Sequence, residues 1–102
     1  MTVGIVGLGL IGGSFAKAYH AAGWIVYGYD TDASMLAFAQ LADAVNEPLT
    51  MDTIGSCDLV LLCVRPLAAI DYLREAAPHI GRKPIVIDCC GTKRVGCAAA
   101  FT

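Results

Sequence analysis

Apolar residues fall into two alternating rhythms along the chain. Short, nearly unbroken runs such as 3–6 and 59–64 have the length and density of strands buried on both faces. Between them lie longer segments where apolar residues recur every three or four positions, the period of a helix. The first strand is expected at Thr2–Val6. A helix is expected over 10–22, with Ile11, Phe15, Tyr19 and Ala22 facing the sheet and Gly23 as its stop. Residues 24–29 read as the second strand. Thr31 and Asp32 form a loop and cap for a helix over 33–41.

Residues 44–46 are expected to make a short third strand, with Pro48 as breaker and a short helix within 49–55. Residues 58–64 form the fourth strand. Pro66 suits the first turn of the next helix. Leu67, Ile70, Leu73 and Ala77 supply its apolar stripe, and Pro78 closes it. Residues 84–89 read as the fifth strand, and 92–101 as the start of another helix. Strands alternating with helices imply parallel pairing through right-handed crossovers. The expected fold is therefore α/β, a doubly wound parallel sheet of about five strands in the order 3-2-1-4-5. Residues 1–102 read as one domain.

Composition narrows the partners. Hydrophobic residues make up 57% and charged residues 16%, which argues against disorder. The net charge is −2 and no basic run occurs, so neither a nucleic acid nor an anionic membrane is an expected partner. No apolar stretch approaches the 18 or more residues of a membrane span. The first strand begins at once, so cleavage of a signal peptide would destroy it, and the cytoplasm is the expected location. The five cysteines, at 57, 63, 89, 90 and 97, lack a C-x-x-C spacing. They read as reduced thiols rather than a metal site.

The chemistry is concentrated after the first strand, in Gly7-Leu8-Gly9-Leu10-Ile11-Gly12. Alone, G-x-G-x-x-G is a weak signal. Here it links a strand to a helix, and Asp30 stands eighteen residues after Gly12 at the end of a second strand. That frame is the dinucleotide-binding fingerprint. Gly7 permits a tight turn, Gly9 lets pyrophosphate approach the backbone, and Gly12 lets the helix pack close to the strand. The helix start then directs N–H groups at phosphate. A carboxylate at Asp30 accepts hydrogen bonds from an adenosine ribose and repels a 2′-phosphate, which favours NAD over NADP. Ligands of such sheets bind beyond the carboxyl ends of the strands. Val64 and Arg65, in the turn after the fourth strand, join the cofactor-binding set on that ground. The same rule reaches the turn containing Lys93. His20 and His79 fall at the opposite ends of their helices, and no catalytic base is legible.

The wording around the motif is more specific than the fingerprint. Residues 7–16, with Gly13 and Ser14 directly after Gly12, resemble the start of the prephenate/arogenate dehydrogenases. Residues 26–30, 58–66, and 85–88 with 91–94 resemble that family's second, fourth and fifth strands and the turns after them. The resemblance implies an NAD-dependent oxidation of the ring carbinol of prephenate or arogenate, with loss of carbon dioxide, on the way to tyrosine. It also implies a catalytic histidine in a His-Pro segment, which this chain lacks, and Gly91 replaces a serine of the family pattern. The expectation is an NAD-binding domain, part of a larger oxidoreductase and inactive alone. Rival readings are the cofactor domain of a β-hydroxyacid dehydrogenase or imine reductase, and a non-catalytic NAD-binding module. A homodimer through the fifth-strand edge or the segment after it is also expected.

Overall fold

The computed structural model describes residues 1–88. Five parallel strands form one sheet in the order β3-β2-β1-β4-β5. They are β1 (Thr2–Val6), β2 (Ile25–Tyr29), β3 (Glu47–Pro48), β4 (Leu59–Leu62) and β5 (Ile85–Asp88). Three α-helices connect them: α1 (Leu10–Ala21), α2 (Ala33–Leu41) and α3 (Pro66–Ile80), with a single 3-10 turn at Ile54–Ser56. The expected doubly wound order is the observed one. β1 is central, pairing with β2 on one side and β4 on the other, which places the following glycine turn mid-sheet.

The two faces of the sheet carry separate cores. On one, α1 and α2 cover Val3, Ile5, Val26 and Leu61 through Ala16 and Ala39. On the other, α3 covers Val6, Val60 and Leu62 through Ala69, Tyr72, Ala76 and Ile80. Val60 and Leu62 face one way and Leu61 the other, as the period of two requires. Burying each such Val, Ile or Leu contributes about 1.5–3 kcal/mol, so the β1 and β4 side chains anchor both layers. Cys57 is fully buried in the α3 core, and burial pushes its thiol pKa up to about 11.

Both helix faces differ from expectation. In α1 the buried residues are Gly12 and Ala16, with Tyr19 half-buried, while Ile11, Phe15 and Ala22 are exposed. In α3 the core side chains are Ala69, Tyr72, Ala76 and Ile80, whereas Leu67, Ile70 and Ala77 are exposed and only Leu73 packs partly inward. Gly12, Ala16, Ala69 and Ala76 win their positions because small residues let a helix approach the sheet closely, with Tyr72 and Ile80 filling the space beside them. α3 also runs through Pro78 to Ile80. Pro78 forfeits one main-chain bond, to the carbonyl of Arg74, and burial of Ile80 offsets that loss.

The third strand lies at Glu47–Pro48, not at 44–46. Ala44 and Val45 are buried but precede the pairing, and Asn46 links to β2 instead. Its N–H donates to the Val26 carbonyl, and its side-chain oxygen accepts from the Val26 N–H, each at 2.8 Å. Pro48 ends on a sheet edge, where a missing donor costs little. Within 49–55 only the 3-10 turn begins, at Ile54. The expected helix over 92–101, Cys89 and the Lys93 turn lie outside the described residues. No helix of the described residues is long and apolar enough to cross a membrane.

Candidate functional site

The turn from β1 into α1 is built from local constraints. Gly7 has φ +93°, a conformation that side-chain-bearing residues rarely adopt. It also abuts the turn after β4: a Cβ there would lie 2.6 Å from both the Cys63 carbonyl oxygen and Val64 Cγ1. Gly12 allows α1 to start directly over the turn, since its Cβ would fall 1.7 Å from the Gly7 carbonyl oxygen. At Gly9 a Cβ would meet nothing within 4 Å, so the space above that residue is open.

The two helices that begin beside this turn are capped differently. α2 starts at Asp32, whose carboxylate accepts the Ser34 N–H at 3.0 Å. That bond and the Ser34 hydroxyl hold the Asp32 carboxyl below its ordinary pKa, the hydroxyl contributing most. α1 starts at Gly9 with no side-chain cap and no acid in its first turn. Its leading N–H groups and the positive end of its dipole are left for an anion. An open space over Gly9 beside an uncapped helix start fits a pyrophosphate.

Asp30 closes the site from β2. Its Oδ2 accepts the Leu8 N–H at 2.8 Å, and its Oδ1 accepts the Asp32 N–H at 2.9 Å. The Gly7 N–H donates to the carbonyl of Tyr29 at 2.7 Å. The acid therefore stands against the glycine turn, half-buried. Beside it, at the carboxyl end of the sheet, a cleft of about 280 Å³ runs between β1, β2, β4 and α3. It is lined by Val6, Tyr29, Thr31 and Val64 from the strand ends and by Ala68, Asp71, Tyr72 and Glu75 from α3.

The residues singled out from the sequence fall in one region, with different exposure. Gly7, Leu8 and Gly12 are buried, and Gly9, Leu10 and Ile11 are exposed along the start of α1. Val64 lines the cleft. Arg65 is the N-terminal flanking residue of α3, with an exposed side chain that does not line the cleft. His20 and His79 occupy the last turns of α1 and α3, away from this edge. The α3 contribution was missed from sequence. Residues 68, 71, 72 and 75 follow an i, i+3, i+4, i+7 spacing, the signal that would have found that face.

The comparisons with known proteins agree with this geometry. An arogenate dehydrogenase from Synechocystis superposes with a TM-score of 0.83 at 24% identity, over 100% of this chain and 38% of that one. A prephenate dehydrogenase from A. aeolicus, solved in complex with hydroxyphenyl propionate and NAD+, gives 0.76 at 25% identity over 86% of this chain and 32% of that one. An imine reductase from Streptomyces aurantiacus gives 0.72 at 24% identity, over 86% of this chain and 31% of that one. The chain thus spans well under half the length of these structures. Residues 15–99 match the family model for the nucleotide-binding domain of prephenate dehydrogenase. That match begins after Gly12, so it is independent of the glycine turn. By that match the chain belongs to the prephenate dehydrogenase nucleotide-binding domain family.

Proposed function

We propose that residues 1–102 form the NAD-binding domain of an oxidoreductase that acts on prephenate or arogenate in the cytoplasm. The observation that carries the cofactor assignment is Asp30 against the glycine turn, its Oδ2 2.8 Å from the Leu8 nitrogen. The uncapped start of α1 holds the pyrophosphate, with Gly7, Leu8, Gly9, Leu10, Ile11 and Gly12 supplying the turn. Asp30 accepts hydrogen bonds from the adenosine ribose, and the cleft beside Val64 receives the adenine. Arg65, at the mouth of the turn after β4, faces the cofactor or a substrate carboxylate. Among the described residues the cleft lining contains Asp71 and Glu75 and no lysine or arginine. A 2′-phosphate beside Asp30 and that lining meets carboxylates, which supports NAD over NADP.

When bound, the nicotinamide supplies the hydride acceptor for the substrate carbinol. The chain itself binds and orients. Among the described residues neither histidine reaches the carboxyl edge, so the domain holds cofactor without turning over prephenate. Self-association through the outer edge of β5 completes the proposal. The same fold is shared with the imine reductase, so substrate identity rests on the family match rather than on the shape.

Gly9→Ala tests the assignment cleanly. A Cβ at Gly9 meets nothing within 4 Å among the described residues, so folding should be unchanged. It projects into the proposed pyrophosphate space, so NAD affinity should fall by about tenfold or more, the effect of losing one charge-assisted hydrogen bond. Calorimetric titration with a parallel thermal melt reads both. Undiminished NAD binding by Gly9→Ala would refute this placement of the cofactor.

A further inference from the structure

We infer that Asp30 has a second role besides contacting a nucleotide: its carboxylate braces the glycine turn in the shape that receives pyrophosphate. What the turn receives rests on the NAD reading above. How the turn is held rests on hydrogen bonds within the chain.

Two consecutive N–H groups of the turn are tied to two consecutive residues at the end of β2. The Gly7 N–H donates to the Tyr29 carbonyl at 2.7 Å. The Leu8 N–H donates to Asp30 Oδ2 at 2.8 Å, across 22 residues of sequence. The first bond is main chain to main chain and survives any side-chain change. The second exists only through the Asp30 carboxylate. Asp30 is itself steadied by the Asp32 N–H on Oδ1 at 2.9 Å. A carboxylate oxygen accepts about two hydrogen bonds, so each oxygen keeps one site for another donor. Bracing the turn and binding a ribose are therefore compatible.

The brace acts on a single peptide plane. The Leu8 N–H and the Gly7 carbonyl belong to one peptide unit, which is rigid. That carbonyl oxygen is the atom against which Gly12 packs at the start of α1. Fixing the N–H thus fixes the seat of the helix start as well. The buried Leu8 side chain, 4% exposed, holds the position of the residue but not the rotation of the plane before it. That rotation is set by ψ of Gly7 and φ of Leu8, and Gly7 lacks the steric restraint that would fix it locally. Without Asp30 the plane has no side-chain anchor. Asp30 is in this sense a positioning residue, and its loss should weaken any dinucleotide, including one with no ribose hydroxyl to offer.

The test compares the unchanged chain with Asp30→Ala and Asp30→Asn. The Asn side-chain oxygen still accepts the Leu8 N–H, but its NH2 then meets the Asp32 N–H that Oδ1 accepted, so it restores the brace in part. Calorimetry uses NAD and an NAD analogue whose adenosine ribose lacks both hydroxyls. Amide hydrogen exchange is read at Leu8, with Ile5 in the central strand as the internal reference. The brace predicts that Asp30→Ala binds the analogue about tenfold more weakly than the unchanged chain, and that Asp30→Asn recovers part of the loss. It predicts exchange at Leu8 faster by about tenfold or more in Asp30→Ala, unchanged at Ile5, and intermediate in Asp30→Asn. Equal binding of the analogue by unchanged chain and Asp30→Ala overturns the inference. So does unaltered Leu8 exchange, or a rise shared equally by Ile5, which would report general loosening. If the unchanged chain binds neither compound, the NAD reading falls and the exchange comparison decides the brace alone.

Discussion

Two neighbouring glycines of α1 should respond to alanine with opposite signs. At Gly12 the new Cβ would fall 1.7 Å from the Gly7 carbonyl oxygen and 2.8 Å from its carbon. Ordinary contact begins at 3.4 Å, so the helix start must retreat by as much again. Both obstructing atoms are backbone, in a residue with φ +93° whose own place is fixed against Cys63 and Val64. No side chain can swing aside. Overpacking a well-filled site costs about 1–3 kcal/mol, and a backbone clash of this depth belongs at or above the top of that range. At Gly13 the nearest atom to a new Cβ is the Leu8 carbonyl oxygen at 3.6 Å, an ordinary contact. Alanine in a helix interior is about 0.5–1 kcal/mol better than glycine, so Gly13→Ala should stabilise. For a domain of this size one kcal/mol moves the midpoint by about 4–8 °C. Gly12→Ala should therefore melt more than about 10 °C below the unchanged chain, and Gly13→Ala a few degrees above it. Circular dichroism melts at matched concentration measure both. A Gly12→Ala chain as stable as the unchanged one would refute the close packing of α1 on the glycine turn.

Two further substitutions test the core and the sheet edge. Tyr72 is 8% exposed and its buried hydroxyl has no hydrogen-bond partner among the described residues, so Tyr72→Phe should be neutral or stabilising by up to about 1 kcal/mol in urea unfolding. A loss above about 1 kcal/mol would reveal a partner for that hydroxyl. Ile85 is 66% exposed on the outer strand, whereas Val86 packs against the α3 core, so Ile85 is the sharper probe of association. Ile85→Lys should leave the melting midpoint within a few degrees and reduce any concentration-dependent rise in light scattering. An unaltered rise would exclude the β5 edge as the contact.

The parts of the candidate site legible in the sequence are those set locally or by fixed spacing. The turn through Gly7, Gly9 and Gly12 is specified by its own backbone requirements, and Asp30 follows from the length of one strand–helix–strand unit. Asp32 was recognisable as a cap because its bond to Ser34 spans two residues. What escaped was long-range. Helical period identified apolar residues on α1 and α3 but not which face packs. The sheet took Gly12, Ala16, Ala69 and Ala76 in preference to Ile11, Phe15, Leu67 and Ile70, because close approach outweighs side-chain size there. Ala44 and Val45 carry the burial of a strand without its pairing, which shifted the third strand to Glu47–Pro48. The spacing of Asp71, Tyr72 and Glu75 puts them on one face of α3, but that this face meets the cleft is set by how α3 packs over the sheet.

The central claim is that Asp30 and the glycine turn make this an NAD site. The most direct measurement is calorimetric titration of the unchanged chain with NAD and with NADP under identical buffer and salt. The account predicts a saturable one-to-one isotherm with NAD and affinity for NADP weaker by about tenfold or more, as expected when a phosphate meets carboxylates in place of a hydrogen-bonded hydroxyl. No binding of NAD, or equal affinity for the two cofactors, would contradict it.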